Sequence, residues 1–268
     1  MEENPNNILQ SEQTAEGVLR LTMTDQENRN ALSEAMMNSL IEELTKAASN
    51  QSIRVIIIAS TGSVFSAGHD LKEITAARNQ TDFGEEYFKN LFDTCSSLMQ
   101  LIVGCPKPVI AEVSGIATAA GCQLVASCDL ATAADSAKFA TPGVNIGLFC
   151  STPMVALSRN VNKKSAMEML LTGEMISAEK AKEIGLINNY FQTEELTDET
   201  MILANKIASK SSMTVSTGKG AFYTQSELDL AAAYEYTSRV MVKNIHNEDA
   251  KEGIDAFIEK RSPEWSDE

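Results

Sequence analysis

The sequence predicts an α/β fold with crossover connections, and two observations lead to this class. Short apolar runs typical of strands alternate with amphipathic segments typical of helices: GVLRLTM precedes a helical pattern up to about residue 49, and the VIIIA run follows at 55–59. The same strand, helix, strand order recurs with PVIAEV at 108–113, a helix from about Gly121, and DLATAA at 129–134. Strands joined through helices in this way are typical of parallel pairing.

Each predicted element has its own local signal. Leu19, Leu21 and Met23 alternate at a period of two, as on one face of a strand. Ser33 is a candidate N-cap, and the helix predicted after it carries an apolar face of Met37, Leu40, Ile41, Leu44 and Ala48. The uninterrupted run at 55–59 is typical of a strand that is buried on both faces.

The pattern changes from about residue 163. KKSAMEMLLTG and SAEKAKEIGL predict two short helices that end at Gly173 and Gly185. Residues 197–260 are helical in pattern almost throughout, with apolar faces such as Ala232, Tyr236 and Val240 that little of the chain is left to cover. We therefore expect an α/β core at 1–192 and a helical C-terminal region at 193–268.

Composition excludes several classes of function. The 268-residue chain has a net charge of −15, which argues against a nucleic-acid partner or an anionic membrane partner. Five cysteines without CxxC spacing and two distant histidines give no support to a disulfide framework or a metal site. No apolar run approaches the roughly 20 residues of a membrane span, and residues 1–17 show no secretory pattern. The expected location is cytoplasmic.

Two segments gather small residues where a strand runs into a helix. VFSAGHDLKE at 64–73 breaks at Ala67-Gly68, and SGIATAAGCQLVAS at 114–127 passes through several alanines and Gly121. Small residues allow close approach to the backbone, and the first N–H groups of a helix lack intrahelical partners. Two such turns that face each other can hold an oxyanion between two backbone donors, although tight helix–sheet packing alone also explains them.

These segments and three later ones identify a family resemblance. FSAGHDLKE, GIATAAGCQLVASCDL, FATPGVNIGLF, LLTGEMISAEKAKEIGLIN and EGIDAFIEKR, in this order, resemble the crotonase (enoyl-CoA hydratase/isomerase) superfamily. Within it, GHDL and AAGCQL resemble the enoyl-CoA hydratase domain-containing proteins. The resemblance implies a ClpP/crotonase-like spiral of ββα units with sheets roughly perpendicular, and a C-terminal helical region that builds a homotrimer or a dimer of trimers.

The resemblance also implies a site for an acyl-CoA thioester, bound as substrate or ligand without a further cofactor or metal. The backbone amides of His69 and Ala120 take the positions of the oxyanion hole, where a fixed donor is worth about 3 kcal/mol in the transition state. The remaining substrate and CoA positions fall on Arg29, Ala67, Gly68, Asp70, Leu71, Lys72 and Gly121 and, reaching CoA in an adjoining subunit, on Phe257 and Lys260.

Two departures argue against efficient hydration of a 2-enoyl-CoA. The positions of the two hydratase glutamates are Gln123, which cannot act as a base, and Gly143, which has no side chain. Each lost acid or base typically costs 10²- to 10⁴-fold. The alternatives are a catalytically silent acyl-CoA-binding or regulatory protein, or another crotonase reaction such as isomerisation or thioester hydrolysis.

Another crotonase reaction requires a relocated acid, base or nucleophile. Asp70 is a candidate, although an aspartate there also suits a helix cap, and the His69 side chain is another, although its amide alone suffices for the oxyanion hole. Cys150 and Cys122 fit plain packing as well as a thiol at the substrate. Glu112 lies in a predicted strand core, and the sequence names no partner for it.

Overall fold

The strands predicted near 18–23, 55–59, 108–113 and 129–134 are all present in the protein, whose computed structural model describes residues 8–267. Of the polar N-terminal stretch 1–17, residues 1–7 lie outside the described part. The strands are β1 (Leu9–Gln13), β2 (Val18–Met23), β3 (Val55–Ser60), β4 (Val64–Ser66), β5 (Val109–Val113), β6 (Ile116–Thr118), β7 (Leu130–Ala134), β8 (Lys138–Ala140), β9 (Ile176–Ser177) and β10 (Asn189–Phe191).

The helices follow the strands in alternation up to residue 183 and then continue almost without strands. They are α1 (Glu34–Ser49), α2 (Leu71–Ala77), α3 (Glu85–Gly104), α4 (Ala120–Ser127), α5 (Pro153–Asn160), α6 (Lys163–Thr172), α7 (Ala178–Glu183), α8 (Leu196–Ala208), α9 (Ser212–Ser226), α10 (Leu230–Ile245) and α11 (Glu248–Glu259). A 3₁₀ helix spans Pro142–Ile146.

The strands form two sheets, and a repeating unit of the chain contributes one strand to each sheet. The larger sheet has the order β1-β2-β3-β5-β7-β10, in which only the β1–β2 pair is antiparallel, and the smaller has the order β4-β6-β8-β9. In each of the pairs β3–β4, β5–β6 and β7–β8 the first strand lies in the large sheet, the second in the small sheet, and helices follow. The predicted ββα unit therefore occurs three times in succession.

The helix ends follow the signals in the sequence. Ser33 caps α1 by accepting a hydrogen bond from the Met36 N–H at 3.2 Å, and α1 ends at Ser49 as predicted. Gly173 caps α6 with a φ of +65°. Helix α7 ends slightly earlier than predicted, because Ile184 is its cap and Gly185 follows with a φ of +86°. In both turns the left-handed backbone suits glycine.

The core lies on both faces of the large sheet. Helices α1 and α3 contribute to the main apolar cluster, which includes Leu40 and Leu98. Helix α8 covers the opposite face, where Ala204 and Ala208 pack with Val55 and other residues of the large sheet. Helix α8 thus lies on the sheet although it follows residue 192; the division into 1–192 and 193–268 stays a prediction.

The last three helices leave apolar side chains uncovered, but not the ones that the sequence singled out. Ala232, Tyr236 and Val240 are half-buried within α10, whereas Leu230 is 75 % and Tyr234 69 % exposed. The reason is that α10 packs against α9 through the half-buried face. No helix in the described range 8–267 is long and apolar enough to cross a membrane.

Candidate active site

The two turns rich in small residues meet at one edge of the small sheet. They follow β4 and β6, which are parallel neighbours that pair Val64 with Ile116, so both strands end on the same side. The Thr118 hydroxyl donates to the Ala67 carbonyl oxygen at 3.1 Å. A Cβ added at Gly68 would lie 3.1 Å from the Ala120 nitrogen. The turns therefore face each other in contact.

Glycine is required at two places in this contact. Gly68 has a φ of +86°, in the left-handed region. A Cβ at Gly121 would lie 2.4 Å from the Ser66 carbonyl oxygen, so any side chain would push the start of α4 away from β4. Gly121 thereby supplies the backbone clearance that was expected of it.

The backbone N–H groups of His69, in the first turn, and of Ala120, the first residue of α4, have no acceptor among the described residues, and the same is true of the Gly121 N–H. The N-terminus of a helix favours negative charge, which adds to the pull of the Ala120 amide. Ala119, just before it, has φ 50° and ψ −119°, a backbone conformation that costs a residue other than glycine about 1–3 kcal/mol.

The His69 imidazole lies against the protein interior. Its Nδ1 is 3.3 Å from the Leu32 carbonyl oxygen, and its ring meets Phe92 edge to face at 5.6 Å between centroids. Nδ1 therefore carries the proton, and Nε2 is buried with no partner within residues 8–267. Burial lowers the pKa of His69 below its ordinary value of 6.5, so the ring is neutral at pH 7.

Gln123 lies one helical turn after Ala120 and is only 5 % exposed. Its Oε1 accepts a long hydrogen bond from the Cys95 thiol, with 3.9 Å between sulfur and oxygen. Its Nε2 has no acceptor in the described part of the chain, and the residue lines a cavity of about 820 Å³ between α3, α4, α5 and α9.

Gly143 lies in the 3₁₀ helix and is enclosed by the loop that follows. Its N–H donates to the Cys150 sulfur at 3.3 Å. A Cβ there would lie 2.6 Å from the Leu148 carbonyl oxygen and 2.9 Å from the Cys150 sulfur. The loop therefore fills the space in which a side chain at this position would begin.

Most residues expected along CoA gather around the first turn. The Ala67 N–H donates to the Arg29 carbonyl oxygen at 3.1 Å, and the Lys72 ammonium donates to Asn28 at 3.0 Å. Leu71 is 57 % exposed, and the Arg29 side chain is exposed too. Two cations and an apolar side chain thus lie beside the turn, on a protein of strongly negative net charge.

Asp70 acts as the helix cap that the sequence offered as its alternative role. One of its carboxylate oxygens accepts the Lys72 N–H at 2.7 Å and so caps α2. This bond holds the carboxylate on the first turn of its own helix.

Phe257 and Lys260 lie apart from these turns, in and just after α11. Phe257 is 85 % exposed, and Lys260 adopts a left-handed conformation with a φ of 58° at the helix end. Within residues 8–267, no hydrogen bond or ring contact joins either residue to the turns. The predicted contact of these two residues with CoA in an adjoining subunit stays a prediction.

The cysteines near the site are protonated and buried. Burial raises the pKa of Cys122 to about 12, and it raises the pKa of Cys150 as well. Cys150 is 7 % exposed and accepts the Gly143 N–H. A thiol in this state packs the loop and is a poor nucleophile.

Two ion pairs were not foreseen, because each joins residues distant in sequence. Glu112, for which the sequence named no partner, accepts two hydrogen bonds from Arg20 at 2.5 and 2.7 Å. Lys219 of α9 pairs with Asp129 at 2.7 Å and also donates to the Ile102 carbonyl oxygen at 2.9 Å. This second pair anchors α9 beside the cavity.

The cavity was also not foreseen. Its walls come from helices far apart along the chain, and α3 carries cavity residues at helical spacing, as in Ser96, Met99, Gln100 and Val103. That spacing places the four residues on one face of a helix, but it does not indicate which part of the chain lies opposite that face.

Comparison with known proteins places the chain among crotonases. The profile of the Enoyl-CoA hydratase/isomerase family matches residues 13–268. Enoyl-CoA hydratase domain-containing protein 3, mitochondrial, of Rattus norvegicus is 50 % identical over 258 residues, covering 96 % of this chain and 84 % of the relative.

Two solved structures superpose closely on the chain. The human enoyl coenzyme A hydratase domain-containing protein 3 has a TM-score of 0.91 at 49 % identity, covering 96 % of this chain and 100 % of that one. An enoyl-CoA hydratase from Mycobacterium smegmatis has a TM-score of 0.92 at 47 % identity, with coverage of 96 % and 98 %. The predicted crotonase fold is therefore confirmed.

The expected cytoplasmic location is wrong by the same comparison. The relatives from rat, mouse, Xenopus laevis and human all carry the word mitochondrial in their names. The expectation rested on the absence of an apolar span and of a secretory pattern, and neither feature distinguishes the cytoplasm from the interior of an organelle.

Proposed function

The chain belongs to the enoyl-CoA hydratase/isomerase family, and from that premise we propose that it binds an acyl-CoA thioester and polarises the thioester carbonyl between two backbone donors. The donors are the N–H groups of His69 and Ala120. The observation that carries the proposal is that both amides lie at one contact between two turns and lack an acceptor among the described residues. Such fixed donors stabilise negative charge on an acyl oxygen without reorganising during a reaction.

Coenzyme A lies, in this proposal, along the first turn and the start of α2. Arg29 and Lys72 face its phosphates, Leu71 packs on its apolar parts, and Ala67 and Gly68 leave room for it. The local pair of cations supports this placement, because the chain as a whole repels anions with its net charge of −15.

The chain assembles, in this proposal, as a homotrimer or a dimer of trimers in which Phe257 and Lys260 reach the CoA of an adjoining subunit. The exposed apolar side chains of α10 and α11 support assembly, since Leu230 is 75 % and Phe257 85 % exposed. Sedimentation velocity tests this directly, and a monomer at micromolar concentration contradicts it. A mitochondrial location is proposed from the names of the relatives.

Rapid hydration of a 2-enoyl-CoA is not part of the proposal. Gln123 has no group that titrates at neutral pH, and at Gly143 the loop occupies the space for a side chain. The same two facts favour a second candidate, a protein that binds acyl-CoA without turning it over. Thioester hydrolysis through Cys150 gains no support, since burial raises the pKa of that thiol.

Infrared spectroscopy of bound thioester tests the oxyanion hole. Crotonyl-CoA labelled with ¹³C at the carbonyl should show a lower carbonyl stretching frequency when bound than in water, because two donors draw charge onto the oxygen. An unchanged frequency for the bound ligand would falsify the oxyanion role. Calorimetry on the same samples reports binding separately, and no binding at millimolar CoA thioester overturns the whole proposal.

A screen of acyl-CoA thioesters by mass spectrometry separates the enzyme from the silent binder. Turnover of any member that is lost in His69→Gln supports a relocated acid or base in an active enzyme. Binding with no turnover of any member supports the silent alternative.

A further inference from the structure

The segment at residues 25–32, between β2 and α1, contains two consecutive residues with a left-handed backbone. Arg29 has a φ of 56° and Asn30 a φ of 48°. Asparagine tolerates this conformation better than most residues, whereas arginine adopts it rarely. Such outliers persist only where their surroundings hold them, and they cluster at ligand sites and active sites. The structure must therefore contain a group that holds this segment in place.

The Asn30 side chain supplies that hold. It is buried, and its Nδ2 donates to two backbone carbonyl oxygens, that of Thr61 at 3.0 Å and that of Val64 at 2.7 Å. These two carbonyls lie where β3 ends and β4 begins. The Asn30 Oδ1 is buried with no partner within residues 8–267, which is unfavourable, so the amide contributes through its donors alone. Asn30 therefore anchors the segment to the connection between two strands.

The anchored segment supports the first turn of the candidate site. The Arg29 carbonyl oxygen accepts the Ala67 N–H at 3.1 Å, and the Leu32 N–H donates to the Gly68 carbonyl oxygen at 2.8 Å. The Leu32 carbonyl oxygen also lies 3.3 Å from His69 Nδ1. Three consecutive residues of the first turn are thus joined by hydrogen bonds to the segment.

The second turn of the candidate site has a different support. The Ala119 N–H, just before the Ala120 amide, donates to the Ala140 carbonyl oxygen of β8 at 3.0 Å. Within residues 8–267, no hydrogen bond joins the segment at 25–32 to this turn. Loss of the Asn30 anchor should therefore displace one of the two donors and leave the other in place.

We propose that Asn30 is a positioning residue for the oxyanion hole: its side chain holds the left-handed segment, and the segment fixes the turn that carries the His69 N–H. The inference rests on the proposed function, because it assumes that a thioester oxygen lies between the amides of His69 and Ala120. Asn30 itself touches no ligand, since its side chain is buried and its donors are already used.

Infrared spectroscopy of bound crotonyl-CoA, labelled with ¹³C at the carbonyl, tests the inference in Asn30→Gly. Glycine adopts a left-handed conformation without strain and removes the anchor. Displacement of one of two donors should remove about half of the lowering of the carbonyl frequency that wild-type protein causes. Asn30→Asp is a second variant of nearly the same shape. At about pH 8 its carboxylate cannot donate to the two carbonyl oxygens, so it should show the same loss.

Thr200→Val is the matched control for a general loss of stability. The buried Thr200 hydroxyl of α8 lies 2.6 Å from that of Thr132 in β7, on the face of the large sheet that α8 covers. The variant loses this buried hydrogen bond and should be less stable, but it should lower the carbonyl frequency as much as wild-type protein does.

The outcomes separate this inference from the one it rests on. If wild-type protein does not bind the thioester or does not lower its carbonyl frequency, the proposed function fails. If wild-type protein does both, a full lowering in either Asn30 variant overturns the inference alone. An equal loss in Thr200→Val overturns it as well. So do Asn30 variants that do not fold, because the residue then supports the whole fold, and folded variants that no longer bind at millimolar thioester, because the Ala120 donor should remain.

Discussion

Replacing Gly143 with alanine is expected to lower the free energy of unfolding by about 1–2 kcal/mol. The added Cβ would lie 2.6 Å from the Leu148 carbonyl oxygen, which is backbone and cannot rotate away. Overpacking of this kind costs about 1–3 kcal/mol. Alanine recovers about 0.4–1 kcal/mol by restricting the unfolded chain, and Gly143 has no positive φ that would add strain.

Urea unfolding followed by far-ultraviolet circular dichroism measures this change. Both proteins are compared at one concentration, because association adds to apparent stability. Gly218→Ala is the control, since a Cβ there meets nothing within 4 Å and the residue lies inside α9. The control should be as stable as wild type or more stable by up to about 1 kcal/mol. A Gly143→Ala protein that matches this control refutes the reasoning about the loop.

The overlap of a Cβ at Gly143 with the Leu148 carbonyl oxygen also affects any attempt to introduce the two glutamates of a hydratase. The double variant Gln123→Glu, Gly143→Glu has a carboxylate at both positions. The Cβ of the second glutamate, however, would overlap with the Leu148 carbonyl oxygen and the Cys150 sulfur. We expect the double variant to be less stable and to show no gain in hydration of crotonyl-CoA, measured by loss of its 2,3 double bond. A clear gain means that the loop moves aside readily.

Three further changes test other parts of the structure. Lys219→Met should destabilise the fold by about 1–3 kcal/mol in urea unfolding, because it leaves the half-buried Asp129 carboxylate without its cation, although Val109 N–H and Tyr223 still donate to it. Ala119→Gly should stabilise it by about 1 kcal/mol, as relief of the positive φ exceeds the entropy lost; a destabilised variant contradicts the strain. His69 has a folded pKa below its unfolded value of 6.5, so the unfolded chain binds its proton first and stability falls as pH drops through that value. His69→Gln should lose this contribution, of up to about 1.4 kcal/mol per pH unit, when unfolding is compared at about pH 8 and about pH 5.5; an unchanged slope contradicts it.

Local signals in the sequence predicted the main strands and helix ends well. The alternation at Leu19 to Met23 and the cap at Ser33 each depend on neighbours a few residues away, and both agree with the structure. The short strands of the small sheet were not predicted, because three residues carry too little periodicity to stand out.

The candidate site, too, could be predicted from the sequence only in part. The turns at Gly68 and Gly121 were readable because glycine and alanine cluster there. The enclosure of Gly143 and the bond from Cys95 to Gln123 depend on contacts between distant segments, on which the sequence alone has no information. The exposed side of α10 was misjudged for a similar reason, since packing of α9 decides which apolar residues are covered.

The donors of His69 and Ala120 belong to the main chain, and this has a practical consequence for mutagenesis. Truncating either side chain leaves its N–H in place, so an alanine scan would pass over both positions even if each donor were essential. Replacing the amide itself, by an ester linkage introduced through chemical synthesis, removes one donor while it preserves the shape of the turn. An oxyanion hole of the proposed kind also tolerates diverse residues around it, which would leave the neighbouring side chains free to determine which thioesters bind.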